Sequence, residues 1–435
     1  MALSRTQLQR LPLSLLRFSK FDQCHPSLSS RLLSFSAKQV HVRNGRSLVP
    51  CNNRFSRVAT TRAFTTRVHV DSTQPGGDRV NLLLNGRSVQ MPLMWLRDHC
   101  RCEECYNAAT AQKNVDNYTL NHKLQAVEVH VADDSLTVEW QDGHYSAYSL
   151  KWIQKNFHCP GTQVERFLWD GPRMTAEPLP AVAFEQHMNS EEGLKQTLMN
   201  ILQYGFCVVQ GAPVTPKGTE TVANRICFLA ETVYKRLSIM TSGVLAHSDT
   251  AYTNLPLGAH TDTTYYSLPA GIQVFHCLHH DGEGGETLLV DGFNVAEKLR
   301  KSNPSYFDTL VRTEVPHECI EKSNYHLYCL GTVLSIDRLS GELTHIRFNP
   351  YDRAPLRTVA ADDIPQFYAS YGALTQIIRS KDSEFWMKLV PGNVLLVDNW
   401  RVMHGRSGFM GQRVICGCYL PRDDWLSKAR VLGLL

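Results

Sequence analysis

The 435-residue chain reads as an α+β protein that is mainly β and ends in a sandwich or barrel such as a jelly roll, the fold also described as a double-stranded β-helix. Three observations predict this. Short apolar runs recur at close intervals in the C-terminal half, separated by Gly, Asp and Asn, as strands of a sandwich or barrel do. Period-two alternation and tight-turn dipeptides mark a smaller β-rich module before it. Helical spacing is confined to a few segments between the strands. Hydrophobic residues make up 43% of the chain, enough for a large core. No stretch of about 20 consecutive apolar residues appears, so a membrane-spanning helix is not expected. We divide the chain into a leader (1–68), a β-rich N-terminal domain (69–175) and a jelly-roll domain (180–435).

The leader explains the formal charge of +4. Residues 1–70 hold twelve of the 45 Lys and Arg but one acid, Asp22, leaving 33 bases against 40 acids in the rest. Arg-rich, Ser-rich and acid-poor composition is that of a transit peptide, and it predicts import into the mitochondrial matrix. The remainder is mildly acidic, and no nucleic-acid partner is expected of it. Thirteen cysteines are dispersed from Cys24 to Cys418, an odd number that fits reduced thiols better than a disulfide framework.

In the N-terminal domain, Val80–Leu84 and Ser88–Met91 flank Asn85-Gly86, a strong hairpin signal. Residues 126–131 alternate at period two, and residues 136–140 do so again beyond Asp133-Asp134. Asp142-Gly143 makes a further turn. One cysteine cluster is dense: Cys100, Cys102 and Cys105 lie within six residues, with His144 beside the Asp142-Gly143 turn. Three Cys and one His make a closed tetrahedral structural Zn(II) site.

The jelly-roll domain opens with helical spacing over Leu194–Tyr204, then a short glycine-bounded strand over residues 205–211, then a second helix expected over 219–237. Apolar strands follow at residues 271–275, 287–290 and 394–397. Non-haem Fe(II) oxygenases need two His and one carboxylate on one face of the metal, with other positions open. A His-x-Asp pair on a strand supplies two ligands on one side. Four such pairs occur: His69/Asp71, His247/Asp249, His260/Asp262 and His279/Asp281. Spacing alone does not choose between the second and third.

Asp249-Thr-Ala-Tyr-Thr253, His260-Thr-Asp-Thr-Thr-Tyr265, Val290-Asp-Gly-Phe293 and Asp398-Asn-Trp-Arg-Val-Met-His-Gly-Arg406 together resemble the γ-butyrobetaine and trimethyllysine dioxygenase family, from about residue 75 to the C-terminus. The resemblance implies His260, Asp262 and His404 as Fe(II) ligands and Arg413 as the cation for the far carboxylate of 2-oxoglutarate, a role that suits a planar guanidinium. Thr287 resembles the hydroxyl that assists co-substrate binding in related oxygenases. Tyr234, Tyr252 and Tyr419 resemble the walls of an aromatic cage for a trimethylammonium group. The family pattern has a Trp where this chain has Ser238; Tyr265 is a candidate to compensate. The γ-butyrobetaine members share the Cys100, Cys102, Cys105 and His144 zinc pattern.

Residues 260–265 and the ending Cys416-Gly-Cys-Tyr-Leu-Pro-Arg-Asp-Asp424 are closest to the branch that oxidises trimethyllysine. That implies hydroxylation of N6-trimethyllysine at C3, the first step of carnitine synthesis, with L-ascorbate keeping the iron reduced. The family also implies a homodimer. The rival readings are γ-butyrobetaine as substrate, a non-catalytic zinc-stabilised binding module, and a zinc hydrolase, since two His and a carboxylate also suit zinc.

Overall fold

In the computed structural model the described residues are 78–84, 87–121, 123–132, 134–157, 164–241, 253–321 and 324–435. The leader, His69 and Asp71 lie outside them. The N-terminal hairpin forms as its pattern predicts. Strand Arg79–Leu84 pairs with Arg87–Pro92, with Leu84 opposite Arg87, so the connection is the Asn85-Gly86 pair, itself outside the described residues. A meander of Ala126–Ala132, Ser135–Trp140 and Tyr145–Ser149 follows. Leu136, Val138 and Trp140 alternate inward and pack with Val80, Leu82, Met91 and Ile153. Trp140 satisfies its indole N–H on Ser146 Oγ at 2.8 Å. The alternation over 126–131 is interrupted: a register shift between Ala126 and Glu128 leaves Val127 63% exposed. One extra residue at a bulge displaces the side chain from its expected face.

Two sheets build the jelly roll. The larger has the order Ser238–Thr241, Arg413–Leu420, Ile272–His280, Val394–Asp398, Phe206–Gln210 and Ala181–Ala183. The smaller has Leu257–His260, Val402–Arg406, Thr287–Asp291 and Phe385–Met387. Phe206, Val208, Leu395, Val397, Ile415, Leu289 and Val402 form the core between them. The alternate residues Cys207, Val209, Val394 and Leu396 pack outward on helices Glu191–Tyr204, Pro216–Ile226 and Arg422–Val431. Leu288, Val290 and Met403 point outward from the smaller sheet, onto helices Gly292–Ser302, Pro304–Arg312 and Ile364–Ile378. Strands covered on both faces read as continuous apolar runs, which is why Phe206–Val209 and Val394–Val397 show no alternation.

The helix expected over 219–237 is shorter than its apolar spacing suggests. Pro216 opens it, Thr215 caps it by accepting from Gly218 N–H, and it ends at Ile226. Cys227 is extended, Ala230 N–H donates to Tyr419 C=O at 2.8 Å, and Lys235 sits at φ 66°. Pairing to the end of a sheet strand outcompetes helix continuation and carries Tyr234 to the cavity described below.

One buried ion pair fixes the strand that carries His404. Arg401 meets Asp291 through Nε–Oδ1 at 3.1 Å and Nη2–Oδ2 at 2.8 Å. The same guanidinium donates to the carbonyls of Gln203 and Phe167 at 2.7 Å. It therefore joins a helix end, the linking segment and the smaller sheet with its donors satisfied, as a buried cation must.

Candidate functional site

His260 ends one strand of the smaller sheet and His404 stands directly opposite on its antiparallel neighbour. This register sets the two imidazole centroids 4.6 Å apart. Asp262 completes the group: one carboxylate oxygen lies 3.2 Å from His260 Nε2 and the other 3.5 Å from His404 Nε2. Ligands about 2.1 Å from one metal ion stand about 3.0–3.4 Å from each other, so these separations would suit one shared ion. His260 Nδ1 bonds Gly258 C=O at 2.8 Å and so carries the proton, which leaves the lone pair of Nε2 facing the carboxylate. Lone pair against carboxylate is repulsive unless a cation lies between them. Burial lowers the pKa of His260, yet the Asp262 carboxylate more than offsets this and the net shift is upward. Burial opposes ionisation of Asp262, but the two imidazoles hold it far below the usual carboxylate range. His404, where burial dominates, is shifted downward. Two imidazoles and one carboxylate are the donor set of a facial triad with open positions.

Asp262 does not reach the metal position from a strand, as its spacing implied. The strand stops at His260, and Thr263 adopts φ 57°. What fixes Asp262 is Asn399, wholly buried on the neighbouring chain turn. Asn399 Oδ1 accepts from Asp262 N–H at 2.8 Å, and its Nδ2 donates to Asp262 C=O at 3.0 Å and Ala270 C=O at 3.1 Å. Tyr419 donates its hydroxyl to the Asp262 carboxylate at 3.0 Å. Asn399 lies inside the Asp398–Arg406 motif, but nothing in its residue type marks it as the clamp.

A cavity of about 310 Å³ opens over the triad, a size within the range of small-molecule sites. Arg413 and Thr287 line it, one from each sheet. Arg413 is shifted down to about 10 by burial and the nearby Arg406, and its Nε has no hydrogen-bond partner. Among the described residues no carboxylate pairs with it, so an anion entering the cavity meets an uncompensated guanidinium. Tyr234 and Tyr419 line another wall with ring centroids 6.4 Å apart, and Tyr265 donates to the Tyr234 hydroxyl at 3.4 Å. Ser238 lines the cavity and bonds Tyr234 C=O at 2.7 Å. Tyr252 and the rival pair His247/Asp249 lie outside the described residues. His279 and Asp281 form a 3.1 Å pair that is half exposed and gathers no third ligand among the described residues.

In the N-terminal module Cys100, Cys102 and Cys105 converge on His144 Nε2 at 3.3, 3.6 and 3.6 Å. A neutral imidazole nitrogen has one lone pair and cannot accept three S–H bonds. With Zn–S of about 2.3 Å and Zn–N of about 2.0 Å, the tetrahedral edge is about 3.5 Å, which these separations match. Arg97 Nη1 donates to Cys105 Sγ at 3.4 Å, and Glu104 lies 3.7 Å from His144 Nδ1. Such outer contacts orient ligands and offset thiolate charge.

Comparison with known proteins shows the family. Residues 171–419 match the model of the taurine catabolism dioxygenase TauD, TfdA family, and residues 80–154 match the γ-butyrobetaine hydroxylase-like N-terminal model. The mitochondrial trimethyllysine dioxygenase of Bos taurus is 43% identical over 82% of this chain and 86% of its own length. That of Mus musculus is 42% identical over 92% and 94%. A γ-butyrobetaine dioxygenase of Pseudomonas is 32% identical over 80% and 92%. A solved taurine dioxygenase from Burkholderia xenovorans overlays at a TM-score of 0.42, with 15% identity over 53% of this chain and 82% of that one, so kinship is carried by the sequence relatives. With one family model spanning over half its length and relatives above 40% identity matched nearly end to end, the chain belongs to the TauD, TfdA family of Fe(II)/2-oxoglutarate-dependent dioxygenases, among its trimethyllysine dioxygenases.

Proposed function

We propose that this enzyme hydroxylates C3 of N6-trimethyllysine, with one atom of O₂ going to the product and the other to succinate as 2-oxoglutarate loses CO₂. The observation that carries this reading is the convergence of His260, Asp262 and His404 under a cavity with a buried guanidinium on one wall and tyrosines on another. Fe(II) at the triad supplies the O₂ chemistry that no side chain can. His260 and His404 act as neutral ligands and Asp262 as the anionic one. Arg413 grips the far carboxylate of 2-oxoglutarate through its planar fork, and the Thr287 hydroxyl assists. Tyr234 and Tyr419, with Tyr265 behind them and Tyr252 as a further wall, take the trimethylammonium group, which has no proton to donate and is held by ring faces. Buried walls keep water from the reacting carbon.

The finer parts of the reading follow the same logic. Zn(II) at Cys100, Cys102, Cys105 and His144 stabilises an N-terminal domain (69–175) that has no catalytic role, beside the jelly-roll domain (180–435). Residues 1–68 direct the chain to the mitochondrial matrix, in line with the word mitochondrial in the names of the Bos and Mus relatives. L-Ascorbate keeps the iron reduced, the product enters carnitine synthesis, and the enzyme acts as a homodimer. Among the described residues no helix is long and apolar enough to cross a membrane.

Succinate release by the purified protein with Fe(II), 2-oxoglutarate and either trimethyllysine or γ-butyrobetaine tests the central point. Trimethyllysine is expected to be turned over with at least tenfold higher kcat/KM. A preference for γ-butyrobetaine, or turnover that does not need 2-oxoglutarate, refutes it.

A further inference from the structure

Asn399 clamps the backbone of Asp262, but that clamp does not set the carboxylate. The terminal torsion of an aspartate is broad and roughly two-fold, so one oxygen or both can turn toward a metal. Tyr419 engages the group directly, its hydroxyl donating to Oδ2 at 3.0 Å. It reaches across from the larger sheet, whereas His260 and His404 belong to the smaller one. Side chains alternate along a strand, so Arg413, Ile415, Gly417 and Tyr419 share one face, and all four line the cavity. One strand thus carries the guanidinium at one end and the phenol at the other, about 20 Å apart along the backbone. The two oxygens of Asp262 have different neighbours. Oδ1 lies 3.2 Å from His260 Nε2. Oδ2 lies 3.5 Å from His404 Nε2 but closer, at 3.0 Å, to the Tyr419 oxygen. A donated proton occupies a lone pair of Oδ2 and draws on its charge, which leaves Oδ1 the better donor to a cation.

We propose that Tyr419 is a positioning residue that acts through Asp262: its hydroxyl holds Oδ2 and so restricts the aspartate to ligation through a single oxygen. The proposal rests on the metal and cage readings above. Two imidazoles and one carboxylate oxygen take one face of an octahedral ion and leave the opposite face whole. A second carboxylate oxygen would close one of the positions that the co-substrate and O₂ need. The hydroxyl keeps that position free by giving Oδ2 a partner other than the metal. The ring of the same residue stands 6.4 Å from that of Tyr234, centroid to centroid, on the cage wall. Tyr419 therefore offers its ring face to the substrate's cation and its oxygen to the metal ligand. These roles are chemically separable, because a ring binds a cation through its quadrupole and the hydroxyl acts through its proton.

The test loads the full-length protein with Mn(II) in place of Fe(II) and measures water-proton relaxation, which scales with the number of waters on the metal. Wild type is expected to hold about three waters and Tyr419→Phe about two, as the released carboxylate turns both oxygens to the ion. With Fe(II) and 2-oxoglutarate, Tyr419→Phe should keep its KM for trimethyllysine within about threefold of wild type, because the ring remains, while kcat falls about 10- to 100-fold. Tyr419→Leu removes the ring as well and should raise that KM at least tenfold. Equal hydration in wild type and Tyr419→Phe, or a Tyr419→Phe defect confined to KM, overturns the proposal. A normal KM in Tyr419→Leu refutes the cage reading, and a wild type that binds no Mn(II) refutes the metal site. Both outcomes are distinct from a hydrated metal whose water count ignores the hydroxyl.

Discussion

Asp262 is the least securely anchored of the three proposed metal ligands by its own backbone, and one amide across the fold compensates. The Asn399 side chain bonds both the N–H and the C=O of Asp262, an arrangement that fixes the peptide planes on either side of the ligand. Asn399→Ala leaves those groups and Ala270 C=O without partners, at a cost of about 1–3 kcal/mol each where water cannot enter. The functional consequence is expected to be larger: a displacement of about 1 Å in a reacting constellation costs about 10²-fold in rate. We therefore expect kcat to drop by about two orders of magnitude and Fe(II) affinity to weaken 10- to 100-fold. Iron titration followed by succinate release measures both; normal Fe(II) affinity with normal kcat would remove Asn399 from this role. Residue type and spacing alone left His260 and its rivals open; it was the family resemblance that implied His260, His404 and Arg413, and the structure brings the two histidines together with Asp262 and puts Arg413 on the cavity wall. Asn399 was not legible in this way, since an amide that clamps a backbone acquires meaning only once Asp262 is seen to leave its strand.

At the scale of secondary structure, the legible elements were those whose pattern and turn chemistry agreed. The strands flanking Asn85-Gly86 and the doubly covered strands formed where their signals placed them, and the helix read over Leu194–Tyr204 formed with one further turn, from Glu191 behind a Ser190 cap. The failures share one cause: tertiary contacts overrode local pattern, at the bulge that turns Val127 outward and at the helix truncated after Ile226. Gly205 shows how tightly an element end is coupled to the site. It closes helix Glu191–Tyr204 at φ 81°, and a Cβ there would fall 2.4 Å from Val402 Cγ2 and 3.2 Å from Arg401 Cδ, on the strand that bears His404. Gly211 has the same φ of 81° but open space around it. Gly211→Ala should thus cost the left-handed strain alone, about 1–2 kcal/mol. Gly205→Ala adds overpacking of about 1–3 kcal/mol. Urea unfolding of the two variants isolates the difference, and equal destabilisation would show that the smaller sheet yields freely at Val402.

For the whole molecule, composition separated a basic leader from an acidic body, yet it gave no hint of how much uncompensated imidazole the body encloses. Away from the metal positions, His187, His276, His317 and His345 are buried. Desolvation depresses all four pKa values, to about 4 for His276 and His317. His276 bonds Thr219 Oγ1 through Nδ1 at 2.8 Å while its Nε2 has no partner, and His317 Nδ1 has none either, so no acceptor awaits the extra proton. Unfolded, each of these side chains titrates near 6.5. Between about pH 6.5 and pH 4 the unfolded chain therefore binds more protons than the folded one, and stability must rise with pH across that window. Above pH 6.5 the contribution of the neutral imidazoles is complete; it is lost progressively as pH falls toward 4. Each imidazole adds at most about 1.4 kcal/mol per pH unit, so the slope for several together is steep for a protein of ordinary stability. Urea midpoints from pH 7.5 down to 5 should decline accordingly, and His276→Gln and His317→Gln should each flatten the decline even where they lower stability at pH 7.5. A profile that is level in the wild type, or as steep in both variants as in the wild type, would mean that these imidazoles find proton acceptors when the pH falls and that their burial in the neutral form is not what limits the fold in acid.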